Sequence, residues 1–384
     1  MELTAILRLE RWCLQAVRPR AALVLSTLVC AVALAACRSE PRAGDVAVGA
    51  GHQPMLWPKR LEPGDTIMFI APAGELDRER MQRAKARLEA RGYRVVNRED
   101  LFAQEGYLAG TDERRAEELM QAFLDPEVDA VFPGTGGYGA MRILDRLDYA
   151  AIRNNPKLLI GFSDVTALHA ALNRRAGLVT FHSPNPMYGL GSPDNLTPFS
   201  SEWFFRAVTQ QGADTAGAYE VVVPPARGLG DAGDVPRPVA LGAGRARGRL
   251  VGGNLSLISA LEGTPYAIDT RDAILLIEDT REAPYRVDRM LCQLRLAGKL
   301  ATLRGAVLGQ FTRNYDREDE TRGADPRYSV DGVLRQYFEG AGIPVLMNYP
   351  IGHHAMNATL PLGGEVEVDA DRGVLRVLAP HDAR

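Results

Sequence analysis

From Thr66 onward the apolar positions of the chain follow two alternating periods. Unbroken apolar runs such as TIMFIA (Thr66 to Ala71), AVFP (Ala130 to Pro133) and LLI (Leu158 to Ile160) end at glycine or proline. Strands buried on both faces read this way. Between the runs lie longer segments with apolar residues at helical spacing. DRERMQRAKARLEARG from Asp77 is one, closed by Gly92. TDERRAEELMQAFLD from Thr111 is another, with Thr111 placed as a cap and carboxylates in its first turn. YRVVNRED from Tyr93 adds a strand. Strands alternating with helices at this spacing predict an α/β fold with a parallel sheet covered on both faces.

The texture changes between about Thr209 and Gly248, where Gly, Pro and Ala dominate and the periodicity fades; a linker or long loop is expected over 211–248. Order resumes with GRLVGGNLSLISALEGTPY, the strand DAILLIEDT and the helix PYRVDRMLCQLRLAG. The dense charge from Asn314 to Tyr328 predicts a solvated loop, and short strands close the chain around VLMNYPIGHHAMNATLPLG and GEVEVDADRGVLRVL. The expected division is an N-terminal domain over 61–210 and a C-terminal domain over 249–380.

Candidate chemistry gathers between Ala130 and Leu172. There the run Leu158 to Ile160 breaks at Gly161, and VTALHAALNR after Asp164 has helical spacing, so Ser163 falls on a tight turn between a strand and a helix. Such a turn exposes a serine hydroxyl and sets it beside the amides that open the helix, which can stabilise an oxyanion. The same position suits a helix cap, and either Ser163 or Asp164 could serve as one. GTGGYG, at Gly134 to Gly139, matches G-x-G-x-x-G after a strand. A dinucleotide fingerprint would open the first βαβ unit, yet Thr66 to Ala71 already supplies an earlier strand. The glycines can instead bring a backbone amide close to a neighbouring turn.

The first 36 residues read as an export signal. Arg18 and Arg20 precede an apolar run, Ala21 to Ala36, that is short for a membrane span and ends in LAAC at Cys37. Small residues before a cysteine resemble a bacterial lipobox, which implies cleavage before Cys37 and lipid attachment to its sulfur. A lipid anchor facing the periplasm and a tether over 37–60 are therefore expected. About 350 residues remain, enough for two domains. Of the four cysteines, Cys13 and Cys30 lie in the signal and Cys37 is committed to lipid. Cys292 stands alone, and no intrachain disulfide is expected. The net charge of −3 and the lack of a basic run argue against a nucleic-acid partner. No H-E-x-x-H or cysteine pair calls for a metal, and no cofactor is expected.

Seven stretches in chain order, GDTIMFIAPAG, LAGTDERRAEEL, GGYGAMRIL, NPKLLIGFSDVTALH, GGNLSLISALEGTPY, LLIEDTREAPYRVDRML and PIGHHAMNATLPLG, resemble the LD-carboxypeptidase family. These are serine peptidases that trim murein tetrapeptides, and they include the microcin-immunity hydrolases. The resemblance implies a flavodoxin-like or class I amidotransferase-like N-terminal domain, a smaller β-rich C-terminal domain and a Ser-Glu-His triad at their junction. It places the nucleophile on Ser163, the acid on Glu278 and the base on His353. The oxyanion would be held by the amides of Gly136 and Asp164. A hydroxyl is a poor nucleophile until an imidazole takes its proton, and the imidazole needs a carboxylate to fix its tautomer.

By the residues alone Asp279 competes with Glu278 and His354 with His353; neighbours on a strand face opposite ways, so one of each pair can serve. Tyr138 and His182 are expected to line the substrate pocket, and His52, His169 and His381 to be structural or solvated. One departure from the family is Thr135, which stands where arginine often precedes GGYG. A homodimer, common in the family, is implied by the resemblance only. The expected activity is hydrolysis of the L,D bond before the terminal D-Ala of peptidoglycan peptides, without cofactor. An amidase acting on peptidyl or aminoacyl nucleotides and a non-catalytic muropeptide-binding lipoprotein are the alternatives.

Overall fold

The computed structural model describes residues 54–209, 218–223, 236–312 and 325–378. Cys37, the export signal, most of the expected tether, His52 and His381 lie outside them.

The strands are β1 (Thr66–Ile70), β2 (Arg94–Asn97), β3 (Ala130–Pro133), β4 (Leu158–Gly161), β5 (Thr180–His182), β6 (Tyr219–Val221), β7 (Val239–Ala240), β8 (Arg245–Asn254), β9 (Ile274–Thr280), β10 (Gly305–Thr312), β11 (Val345–Met347), β12 (Leu360–Leu362), β13 (Glu365–Asp369) and β14 (Val374–Val377). The first sheet runs β12-β5-β4-β3-β1-β2. Its strands β1 to β5 are mutually parallel, and β12 is antiparallel on β5. The order β2-β1-β3-β4-β5 is the flavodoxin-like arrangement, in which the connections diverge between β1 and β3 and leave a crevice at the carboxyl ends of the strands. The second sheet runs β6-β14-β13-β8-β9-β10-β11-β7, parallel through β8 to β11 and antiparallel at both flanks.

Strands β1, β3, β4 and β5 are buried along their whole length, which explains their unbroken apolar runs. Helix Arg78–Glu89 is capped by Asp77, whose carboxylate accepts from the amide of Arg80 at 2.8 Å, and it buries Met81, Ala84 and Leu88. Helix Asp112–Leu124 is capped by Thr111 and sends Leu119, Ala122 and Phe123 into the core beneath Val131. Fully burying such a leucine or phenylalanine contributes about 1.5–3 kcal/mol.

Three expectations need correction. Residues 54–60 are not tether: Leu56 bridges to Leu178, and the Trp57 ring stands edge-on to Phe181 at 6.3 Å, so the apolar Met55, Leu56 and Trp57 cover one end of the first sheet. The span 211–248 contains β6, β7 and the start of β8. The first two are edge strands of the second sheet, and a strand of two or three residues is too short to show a period. Finally, β12 comes from the C-terminal part of the chain yet completes the first sheet, which stitches the two sheets together next to His182.

Candidate active site

Ser163 follows β4 at a turn so sharp that its φ is 63°, a left-handed conformation that costs a non-glycine residue on the order of 1 kcal/mol or more. The chain enters it through Gly161, with φ 148°, where a Cβ would stand 2.7 Å from Val165 Cγ1. A 3₁₀ turn, Ser163–Val165, then leads into helix Thr166–Ala171. Neither Ser163 nor Asp164 caps it. The Asp164 carboxylate turns away and accepts from the amide of Ala140 at 2.8 Å, tying the serine turn to the end of GTGGYG. Burial pushes the Asp164 carboxyl upward, and the amides of Ala140 and Gly139 with the Arg115 guanidinium oppose that shift.

The glycine segment lies against the serine. A Cβ on Gly136 would stand 2.9 Å from Ser163 Cβ, 3.2 Å from its Oγ and 3.0 Å from the amide nitrogen of Asp164. The Gly136 carbonyl is held by the amide of Gly74 at 3.0 Å, so the loops after β1 and β3 are joined at the switch point. The strand before GTGGYG is the third in the sheet, and a 3₁₀ segment, Ala140–Arg146, follows it. That context differs from the strand-to-helix opening of a dinucleotide site. The φ of Gly136 is not positive, so alanine can adopt its torsions, but the added Cβ would press on Ser163 Cβ and on the Asp164 amide nitrogen, and the serine turn must shift to admit it. Gly136→Ala is expected to lower kcat roughly 100-fold, as a displacement of about 1 Å at a reacting atom does, and to lower the melting temperature as well, since overpacking typically costs about 1–3 kcal/mol. Steady-state kinetics beside a thermal melt check it; unchanged kcat would detach Gly136 from the serine.

Helix Asp112–Leu124 clamps these loops with charged groups on its inner face. Arg115, 0 % exposed, donates to the carbonyls of Pro72 and Gly139, both at 2.7 Å. Glu118, also 0 % exposed, accepts from the amide of Ala71 at 2.7 Å and pairs with Arg114 at 2.7 Å. The signal was present in the sequence: Arg115 and Glu118 occupy positions that the helical period assigns to the core, where a charge needs a built partner.

The second sheet supplies the remaining groups. His353 Nδ1 donates to Glu278 Oε2 at 2.6 Å, and Glu278 is wholly buried at the end of β9. Two glycines make room for that carboxylate: a Cβ at Gly352, φ 106°, would lie 2.5 Å from Glu278 Oε2, and one at Gly309 3.1 Å from Glu278 Cβ. The adjacent Asp279 points the opposite way. It accepts from the amide of Ser256 at 2.9 Å, from Asn254 Nδ2 at 3.0 Å and from its neighbour's amide on Thr280 at 2.8 Å, holding the start of helix Leu255–Leu261. Burial, then the charge of Glu278, raises the Asp279 carboxyl to about 6. His354 Nδ1 accepts from the amide of Met356 at 3.1 Å. The loop carrying both histidines is braced by Ser200, whose hydroxyl donates to the Ala355 carbonyl and accepts from the amide of Asn357, both at 2.9 Å.

Ser163, Gly136, His353 and His354 line one cavity of about 1020 Å³, together with Thr135 and Tyr107. The Phe162 ring lies 4.8 Å from that of His353 and shields its inner side. Tyr138 and His182 do not line it. Tyr138 is half-exposed and stands edge-on to Tyr107, which does. His182 is fully buried, with the Phe162 ring 6.1 Å from its own, on the strand that pairs with both β4 and β12. Desolvation depresses its pKa to about 4 despite the nearby Glu278 charge, which keeps it neutral. His169 is likewise buried, depressed to about 3 by desolvation, and donates through Nε2 to the Gly161 carbonyl at 2.9 Å, bracing the turn before Ser163.

Comparison with known proteins resolves the lineage. The LD-carboxypeptidase N-terminal domain profile matches residues 67–183, and the C-terminal domain profile matches residues 247–368. The chain belongs to the LD-carboxypeptidase family. A probable murein peptide carboxypeptidase of Bacillus subtilis is 38% identical over 314 residues, 81% of this chain and 91% of the relative. Among solved structures, a muramoyltetrapeptide carboxypeptidase from Oxalobacter formigenes is 30% identical at a TM-score of 0.68, covering 83% of this chain and 100% of that one. The microcin C7 self immunity protein MccF, in complex with aspartyl sulfamoyl adenosine, is 27% identical at a TM-score of 0.75, covering 85% and 99%. This LD-carboxypeptidase family member is thus a hydrolase of the peptidase class with the family's two-part α/β fold.

Proposed function

We propose that the chain is a serine carboxypeptidase that hydrolyses the L,D amide bond before the terminal D-Ala of peptidoglycan tetrapeptides. The observation that carries this reading is the buried Glu278 carboxylate on His353 Nδ1, beside a cavity that also takes in a serine on a strained turn. In the proposed reaction His353 Nε2 accepts the Ser163 proton as Oγ attacks the carbonyl. Amides at Gly136 and Asp164 hold the oxyanion, and the imidazolium returns the proton to the departing amine. Water then cleaves the ester by the same route and frees Ser163. Glu278 keeps Nδ1 protonated and stabilises the imidazolium. The names of the Bacillus and Oxalobacter relatives supply the substrate class.

The test is incubation of the protein with defined muropeptides and mass analysis of the products. Tetrapeptide should become tripeptide with release of one D-Ala. A pentapeptide ending D-Ala-D-Ala should be spared, because an inverted centre misplaces the carbonyl. EDTA should leave the rate unchanged, since a hydroxyl is the nucleophile. Release from pentapeptide alone would overturn the L,D assignment, and cleavage of aspartyl sulfamoyl adenosine alone would favour the amidase alternative.

Cys37 is proposed as a lipid attachment point that anchors the exported enzyme at a membrane, supported by LAAC at the end of the apolar run. Cells fed a labelled fatty acid should place label on the protein, and Cys37→Ser should remove both label and membrane fractionation. Label retained in that variant would refute the anchor.

A further inference from the structure

We propose that Arg281 binds the free C-terminal carboxylate of the peptide and makes the enzyme selective for chain ends, an inference that rests on the carboxypeptidase reading above. Arg281 directly follows β9, three residues after Glu278, and lines the cavity that Ser163 and His353 share. Its φ is 62°, and its amide donates to the Thr312 carbonyl at 2.9 Å, which locks that conformation. Glycine adopts this backbone freely, whereas arginine bears the strain of a Cβ there.

Among the described residues no ion pair or side-chain hydrogen bond engages the Arg281 guanidinium, although Arg286, on the following helix, pairs with Glu282 at 3.7 Å. Among the described residues that line the cavity, Arg281 is the only arginine and there is no lysine. Thr135, on the wall beside Gly136, offers a hydroxyl and no charge. Of the two imidazoles, that of His353 is engaged by Glu278. Glu75 and Asp194 also line the cavity and would repel a carboxylate, so among the described residues that line it a peptide terminus placed beside Ser163 finds its permanent cation at Arg281. A planar guanidinium can hold both carboxylate oxygens at once, which orients the last residue as well as retaining it.

The experiment compares tetrapeptides bearing a free C-terminal acid with the same peptides as C-terminal amides. It is run in a meso-diaminopimelate series and in an L-Lys series whose D-glutamate carboxyl is amidated. In the L-Lys acid the chain terminus is the sole carboxylate. The wild type should favour acid over amide roughly 30-fold in kcat/KM, the range of a charged hydrogen bond. Arg281→Gln should bring that ratio close to one, with most of the change in KM. Arg281→Lys should fall between, because it keeps the charge and loses the fork. Arg281→Gly removes the guanidinium while easing the backbone, so it reports the ratio in a chain without the strain.

An acid-to-amide ratio unchanged in both Gln and Gly variants would overturn the proposal and leave the carboxypeptidase reading intact. A loss confined to the diaminopimelate series, equal for acid and amide, would also overturn it by assigning Arg281 to the side-chain carboxylate. A wild-type protein that releases nothing from any of these peptides would remove the carboxypeptidase reading and this proposal together.

Discussion

Ser163→Ala is expected to lower kcat by about 10⁵-fold and to leave the unfolding free energy within about 0.5 kcal/mol of the wild type. The first number follows from what the hydroxyl would do: without Oγ no acyl-enzyme forms, and only positioning and oxyanion donors remain to help water. The second follows from what it does not do. The Ser163 side chain caps neither the 3₁₀ turn nor helix Thr166–Ala171. Strain at the same position supplies an internal control. At φ 63° glycine is at ease, so Ser163→Gly should be equally inactive and up to about 1 kcal/mol more stable. Pre-steady-state burst measurements and urea unfolding read the two effects separately. Turnover above a tenth of wild type in Ser163→Ala would place the nucleophile elsewhere.

Glu278→Gln should cost about 10⁴-fold in kcat, because the amide fits the same space but offers no charge to the imidazolium and lets the wrong tautomer form. Asp279→Asn, one residue on, should behave in the opposite manner. Asp279 accepts from two backbone amides, from Asn254 and from the Ser256 hydroxyl. An Asn side chain turns two of its hydrogens on those donors, so a loss of about 1–3 kcal/mol of stability is expected with kcat largely retained. The pair of variants separates chemistry from architecture at adjacent positions of β9. Equal activity losses in both would mean that the helix start, and not the acid on His353, governs the rate.

Two features of the site were recoverable from sequence only as alternatives. Ser163 and Asp164 both suit a cap by residue type, yet the Asp164 carboxylate is drawn to the amide of Ala140, 24 positions back, a contact that no local pattern announces. Glu278 and Asp279 have equal claims as adjacent carboxylates on an apolar strand. Their opposite orientations are fixed by a pleat whose register depends on β8 and β10. His182 was misplaced for a related reason. A polar residue ending a strand usually reaches solvent, but β12 returns from 180 residues further along and covers it.

What the sequence determined by itself is local. The unbroken runs of β1, β3 and β4 required strands buried on both faces. The caps Asp77 and Thr111 started their helices where a side-chain oxygen could satisfy an open amide. Glycine at 161 allowed the turn that exposes Ser163. Tertiary structure decided everything that joins distant segments. It chose which carboxylate meets His353, brought Gly136 within contact of Ser163, and joined β12 to the first sheet and β6 and β7 to the edges of the second. It also set Arg281 on the cavity lining with no ion pair among the described residues. The physical reason is that periodicity and capping act over a turn or two of chain, whereas partner choice and burial depend on groups that only folding brings to the same place.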